Sequence, residues 1–252
     1  MKKVGLIILV IAGLSVMAIA QKKRVGPGAK PRVTAVAKAP EIGQTAIVID
    51  ETLSVLRKNP SLFSEAVHRM SRGRKVQILG VTEADGVKFY KVTVPPKNFG
   101  WVQADAVFGK FHPSDEDRLS KLVQASTGFD QIEIAQHFFA LFPSSKLRPA
   151  LLLLYGDLLE ETAGRLSKEA AGRLNRREMA ASAAPMHSYY LNFNMLDRYR
   201  RLGVIFLFNP TTRQYHYDGA SWKEIVARFA TSSQVAEATK RLETLKLRMD
   251  KK

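Results

Sequence analysis

The sequence contains no cysteine and is poor in acidic residues. Its 252 residues include 39 Lys and Arg against 23 Asp and Glu, which gives a formal net charge of +16. The absence of cysteine excludes a disulfide framework, a thiolate zinc site, a cysteine nucleophile and a lipid-modified cysteine anchor. A hydrophobic content of 46%, together with 25% charged residues, is typical of a folded chain and argues against disorder along its whole length.

Long apolar runs are also scarce, and the longest extends from Val4 to Ala20. It follows Lys2 and Lys3 and ends in small residues, the pattern of a secretory signal with an Ala-x-Ala cleavage site. Residues 1 to 20 are therefore predicted to be a signal peptide. The alternative is an uncleaved membrane anchor, because about 17 apolar residues can just span a bilayer. In either case we expect an exported protein, periplasmic or extracellular.

Residues 21 to 43 have the composition of a basic flexible linker. They contain Gly-Pro-Gly, two further prolines, six basic residues against one acidic residue, and no aromatic side chain. Such a segment buries too little apolar surface to fold. Outside the cytoplasm its charge meets anionic lipids and wall polymers, so we expect an anionic envelope surface as its partner and no nucleic acid. A solvated basic surface without a partner is the alternative.

Short β-branched runs separated by turn residues occupy residues 44 to 109. Asp85-Gly86 indicates a hairpin, and Pro95-Pro96 ends a strand because proline cannot donate to the ladder. The predicted strands are Ala46 to Ile49, Leu53 to Leu56, Val76 to Val81, Phe89 to Val94 and Gly100 to Val102. Strands this short and this closely spaced predict a small β-barrel.

Four motifs in this region occur in the order found in bacterial SH3-type (SH3b) domains. They are Leu53-Ser-Val55 with Pro60-Ser61, Gly73-Arg-Lys-Val76, Phe89-Tyr-Lys-Val92 and Gly100-Trp-Val102. The region resembles that family, with three departures. Leu56 replaces a common arginine, Asn59 replaces the glycine that usually precedes the proline, and the segment from Ser61 to Arg72 is longer than is typical of the family. The resemblance implies an SH3-like barrel that acts as an exported binding module and often engages cell-wall peptides.

Four side chains of the predicted barrel are candidates for a shallow binding groove. They are Arg57, Phe63, Tyr90 and Trp101. A guanidinium among aromatic rings suits a peptide or a carboxylate. Core packing is the alternative for Tyr90 and Trp101, whereas Phe63 lies in the loop that departs from the family pattern. The expected partner is a cell-wall peptide or an envelope protein.

After Pro113 the hydrophobic period changes from two to 3.6 residues, which predicts a helical domain over residues 114 to 252. Asp130 with Glu133, and Ser221 with Glu224, have the spacing of helix-capping pairs. Two helical hairpins around Phe142-Pro-Ser-Ser and Phe229-Ala-Thr-Ser-Ser resemble tetratricopeptide-like repeats of bacterial envelope proteins, which usually bind proteins. A compact bundle packed on the barrel is the alternative.

Within this half, residues 203 to 218 predict an inserted β-hairpin around Asn209-Pro210. Its Tyr215 and Tyr217 are candidates for a second contact surface, with a structural role as the alternative. The predicted fold is thus α+β, a small SH3-like β-barrel followed by an α-helical, tetratricopeptide-like domain.

No pattern of catalysis or metal binding is found. The five histidines lack zinc-ligand spacing, and no nucleophile elbow, P-loop or dinucleotide fingerprint is present. Asp157, Glu160 and Glu161 beside Arg165 are predicted to form a solvated face paired with cations. We therefore expect no cofactor, no metal and no enzymatic activity. The predicted function is an exported binding or scaffold protein, in which either the barrel binds the wall or the helices recruit a partner. A hydrolytic or hydrolase-accessory role at the wall is the third and least favoured alternative.

Overall fold

A computed structural model describes residues 39–94, 98–183 and 185–251. Within these ranges, no helix has both the length and the apolar character needed to cross a membrane. The predicted signal peptide or anchor, and most of the predicted linker, lie outside the described residues. The described residues fall in one compact unit that is mixed α/β, with a β-sheet followed by helices.

The first half is one curled antiparallel sheet. Its strands in the described ranges are β1 (Thr45–Val48), β2 (Val55–Arg57), β3 (Ala66–Arg69), β4 (Lys75–Ala84), β5 (Val87–Val94), β6 (Asn98–Gln103) and β7 (Val107–Phe108). They are ordered β3-β2-β6-β5-β4-β1-β7. Each predicted run overlaps a strand, whereas β3 and β7 were not predicted, because β3 is mostly exposed and β7 has only two residues.

Two places in this sheet require glycine or a left-handed backbone conformation. The β4–β5 turn places Asp85 at φ 53° and Gly86 at φ 72°, which is the left-handed geometry that hairpin turns require. In β6, a Cβ atom on Gly100 would lie 2.7 Å from Leu56 Cγ and 2.8 Å from the Arg57 carbonyl oxygen. The close approach of β6 and β2 therefore requires glycine at this position.

The second half is helical and contains one hairpin. The helices are α1 (Asp115–Ala125), α2 (Gly128–Leu141), α3 (Arg148–Arg173), α4 (Arg176–Ser182), α5 (Met186–Leu191), α6 (Asp197–Arg201), α7 (Ala220–Arg228) and α8 (Val235–Met249). Strands β8 (Phe206–Asn209) and β9 (Gln214–Tyr217) form a hairpin inside the predicted 203–218 segment. Helix α3 lies at the centre and contacts α2, α7 and β9.

The first predicted capping pair does mark the N-terminal part of α2, but its carboxylates bind the sheet half and do not cap the helix. Helix α2 begins at Gly128, so Asp130 and Glu133 lie within the helix and not at its N-cap. Arg72, in the connection between β3 and β4, donates from Nη1 to Glu133 at 2.7 Å and to Asp130 at 3.2 Å. The same guanidinium donates from Nε to the Ile49 carbonyl at 3.0 Å. Arg72 therefore joins the sheet to α2.

The second predicted capping pair also has other partners. Helix α7 begins at Ala220, and the buried Ser221 Oγ has no hydrogen-bond partner among the described residues. Glu224 accepts instead from Arg148 Nε at 2.8 Å, and the nearly buried Arg148 also donates to the Phe139 carbonyl at 2.9 Å. This arginine thus ties the start of α3 to α2 and α7.

The predicted acidic face of α3 does pair with cations, but these belong to α8 and not to the same helix. Arg241 Nε donates to Asp157 at 3.0 Å, and Arg248 Nη1 donates to Glu160 at 2.5 Å. The expectation that Arg165 neutralises this face is corrected, since Arg165 donates to the Tyr199 hydroxyl oxygen at 3.3 Å. These ion pairs hold α8 against α3.

Glu160 also makes the fold sensitive to acid. Burial raises the pKa of its carboxyl, but hydrogen bonds from the His216 ring and the Tyr217 N–H, with the charge of Arg248, outweigh burial and lower it. A lowered folded-state pKa gives stability that is present above the unfolded pKa, about 4.5, and is lost as pH falls through the folded value. We expect Glu160→Gln to unfold more easily in urea at pH 7 and to lose part of this acid dependence.

The matched control is Glu161→Gln, because Glu161 is exposed on the same helix. Urea unfolding from pH 7 to pH 3 should leave this control like the wild type. Parallel pH profiles for Glu160→Gln and the wild type would contradict the prediction.

Candidate functional site

Three neighbouring strands place a row of side chains on the outer face of the sheet. Arg57 of β2 lies directly opposite Trp101 of β6, and Trp101 lies directly opposite Lys91 of β5. Opposite residues of antiparallel strands share a face, with Cβ atoms about 4.5–5.5 Å apart. Trp101 therefore has a cationic residue directly opposite it on each neighbouring strand.

Phe99 adds a second aromatic ring to this face. It lies two positions before Trp101 in β6, so its side chain leaves the same face of the strand. Phe99 is 60% exposed, whereas Gly100 and Val102, which alternate with these positions, are buried on the other face. We call Arg57, Phe63, Lys91, Phe99 and Trp101 the sheet patch.

Phe63 is the most exposed member of the sheet patch, with 90% of its surface accessible. It lies in the connection between β2 and β3, one residue before Ser64. Arg57 Nη1 donates a hydrogen bond to the Ser64 carbonyl at 2.7 Å. Arg57, which lies opposite Trp101 in the sheet, therefore also anchors the loop that carries Phe63.

Further hydrogen bonds fix this loop from its other side. The Phe63 N–H donates to Ser61 Oγ at 3.2 Å, and the Leu62 N–H donates to Asp85 Oδ2 at 2.9 Å. Hydrogen bonds from the Ser61 hydroxyl and the Leu62 N–H lower the pKa of the Asp85 carboxyl, so it stays an acceptor at neutral pH. The loop thus holds an apolar ring in water on a fixed backbone.

The cations of the sheet patch are not neutralised by acidic side chains of the described residues. Arg57 Nε is buried without a hydrogen-bond partner there, and Lys91 is exposed and makes no ion pair there. The nearby carboxylate of Glu65 is already paired with Lys58 at 2.7 Å. A positive charge without an acidic partner favours a carboxylate, so the sheet patch is suited to an acidic and partly apolar ligand.

The other three candidates from the sequence are core residues. Tyr90, Tyr215 and Tyr217 are each at most 3% exposed, and burial raises the pKa of Tyr90 and of Tyr217 to about 12. Tyr215 donates from its hydroxyl to the Tyr190 carbonyl at 2.5 Å. The expected contact surface on the hairpin is corrected, because these rings are packed inside the helical half.

Sequence reasoning missed Lys91 and Phe99. The signal for both was the period-two alternation of β5 and β6 in phase with Trp101, but the pairing register needed to align the two strands is set by the fold. Within the described ranges, no group of three or more His, Asp or Glu side chains is placed to hold a metal ion.

Comparison of the chain with protein-family models, with curated proteins and with solved structures gave no match. The geometry and charge of the sheet patch are therefore the features that bear on function.

Proposed function

We propose that the protein is an exported, noncatalytic binding protein whose sheet is a divergent SH3-like barrel. In this proposal the sheet patch binds a carboxylate-bearing peptide of the cell wall. The observation that supports it most directly is Phe63, which is 90% exposed yet held on a hydrogen-bonded loop beside Arg57.

An exposed ring on a fixed loop favours binding for an energetic reason. Burying a phenylalanine side chain stabilises a complex by roughly 1.5–3 kcal/mol, and a loop ordered in advance loses little entropy when the ligand arrives. Aromatic and arginine side chains in close proximity are also the composition of interface hot spots. Phe63, Phe99 and Trp101 beside Arg57 have this composition.

The class of ligand follows from charge and from the free sheet edge. Arg57 and Lys91 favour a carboxylate next to Trp101. Strand β3 is at one edge of the sheet, and its Val67 is 45% exposed, so an extended peptide can lie along this edge. Short wall peptides combine an extended backbone with carboxylates, which matches both features.

Sedimentation of the full chain with purified sacculi tests this proposal. We expect the double variant Phe63→Ser, Lys91→Gln to bind sacculi at least about tenfold more weakly than the wild type, since it loses a hot-spot ring and a cation. Both side chains are exposed, so the variant should unfold at the same urea concentration as the wild type.

The control double variant, Leu247→Ser with Lys240→Gln, removes an exposed apolar side chain and one charge from α8. It should sediment like the wild type. Equal weakening of both double variants would show that only the general positive charge is involved. A wild-type chain that stays in the supernatant at low salt would refute wall binding.

A further inference from the structure

The helical half contains a basic cavity that the sheet patch does not involve. Its volume is about 560 Å³, and it lies between α3, α4, the turn of the β8–β9 hairpin and the end of α8. We call it the basic cavity, defined by its five cationic lining residues. They are Lys168, Arg176, Arg213, Arg248 and Lys251.

One carboxylate among the described residues lines the basic cavity, and its acceptor capacity is already used. Glu160 accepts from the Tyr217 N–H at 2.8 Å and from Arg248 at 2.5 Å, and it contacts His216 Nδ1 at 2.9 Å. Arg248 is therefore the cation that Glu160 neutralises.

The other four cations of the basic cavity have no such compensation. In the part of the chain that the structure describes, Lys168, Arg176, Arg213 and Lys251 form no ion pair or side-chain hydrogen bond. Because all four line one cavity, an anion that enters it is attracted to each of them. The cavity is thus complementary to a ligand with more than one negative charge.

The walls of the basic cavity are fixed by hydrogen bonds of the hairpin. Asn209, which is 2% exposed, accepts at Oδ1 from the N–H groups of Thr211 and Thr212 at 2.9 and 3.2 Å. Its Nδ2 donates to the Arg248 carbonyl at 2.9 Å. One amide therefore joins the hairpin turn to the end of α8, and both carry cations of the cavity.

This turn has two further features. Arg213 has φ 58°, a left-handed conformation that an arginine adopts only when the surrounding structure holds it. Thr212 also lines the basic cavity, and its buried Oγ1 has no hydrogen-bond partner among the described residues. A hydroxyl without a partner can donate to an oxyanion.

We propose that the basic cavity binds a phosphate-bearing anion. A phosphate ester or diphosphate carries multiple charge, which suits four uncompensated cations, and it offers more acceptor oxygens to the donor forks of the arginines than one carboxylate does. The volume is also in the range of small-ligand sites, about 300–1,000 Å³. The phosphate can belong to a soluble compound or to the headgroup of an anionic lipid.

Calorimetric titration of the full chain with inorganic pyrophosphate, and flotation with phosphatidylglycerol vesicles, test this proposal. The site variant is Arg213→Asn with Lys168→Gln, where asparagine is chosen because it tolerates a positive φ. We expect at least about tenfold weaker binding of whichever probe the wild type binds. If the chain binds pyrophosphate, the ligand is a soluble compound. If the chain binds the vesicles but does not bind pyrophosphate, the ligand is a lipid headgroup.

The control variant, Lys146→Gln with Lys240→Gln, removes the same number of charges from exposed positions outside the basic cavity. It should bind like the wild type. Equal weakening in both variants, or no binding of either probe at physiological salt by a folded wild-type chain, would overturn the proposal. Because the sheet patch is intact in the site variant, its sedimentation with sacculi reports separately on the proposed wall binding.

Discussion

Replacement of Gly156 by alanine is expected to lower the free energy of unfolding by about 1–3 kcal/mol, the usual result of overpacking a filled core. A loss of stability is unusual for this substitution, because alanine normally stabilises a helix by about 1 kcal/mol relative to glycine. Gly156 lies in the interior of α3, so propensity alone predicts a gain. Packing against α7 reverses that expectation.

The reversal follows from two contacts. A Cβ atom on Gly156 would lie 2.3 Å from Trp222 Nε1 and 2.6 Å from Ser221 Oγ, distances at which one of the groups must move. Trp222 is 1% exposed and packs edge-on against Tyr217, so a shift of its indole would disturb packed neighbours. Alanine would therefore force α3 and α7 apart.

Gly164 is the matched control, because it is in the same helix and nothing lies within 4 Å of a Cβ atom built there. Gly164→Ala should be neutral or stabilising, by up to about 1 kcal/mol. Urea denaturation of the two variants measures both values. A stabilising Gly156→Ala would show that α3 and α7 are not in this close contact.

Replacement of Arg72 by alanine is expected to lower the free energy of unfolding by about 2–3 kcal/mol. Breaking a buried ion pair typically removes 3–5 kcal/mol, and the effect is smaller here because Asp130 and Glu133 are partly exposed, by 65% and 26%. The Arg72 side chain itself is 11% exposed. Burial lowers the pKa of its guanidinium, but the two carboxylates outweigh burial and raise it.

The same variant should weaken the cooperation between sheet and helices. Arg72 holds the Ile49 carbonyl of the sheet half and the carboxylates of α2 with one guanidinium. Without it we expect a broader heat-capacity peak, because the two halves unfold less as a single unit. Differential scanning calorimetry measures this width.

Arg228→Ala is the control, because Arg228 is 58% exposed and forms an ordinary i,i+4 pair with Glu224. Arg228→Ala should change the free energy of unfolding by no more than about 0.5 kcal/mol. If Arg72→Ala lowers the free energy of unfolding by no more than this control does, the ion pairs between the sheet and the helices make no measurable contribution to stability.

Elements with a strong local signal could be predicted from the sequence. The Asp85-Gly86 hairpin and the strands around it follow from turn chemistry and alternation, and the helices after Pro113 follow from their period. The partners of charged side chains could not be predicted. Glu133 has the spacing of a capping residue whether it binds its own helix or an arginine 61 residues away.

For the candidate site too, the residue types could be predicted from the sequence but their exposure could not. Arg57, Phe63 and Trp101 are candidates by residue type, and the structure places Arg57 opposite Trp101 and bonds it to the loop that carries Phe63. Tyr215 and Tyr217 have the same aromatic character, but α3 packs against β9 and the rings are buried. Exposure of a ring depends on which helices cover its strand, and this information is distributed over distant parts of the chain.

The residue that follows Asn209 protects its side-chain amide from deamidation. Deamidation of asparagine proceeds through attack by the backbone nitrogen of the following residue, which must lose its hydrogen. Here the following residue is Pro210, which has no N–H, so this ageing reaction is blocked. The amide that joins the hairpin to α8 is thus protected by its neighbour against slow conversion to an acid that cannot donate.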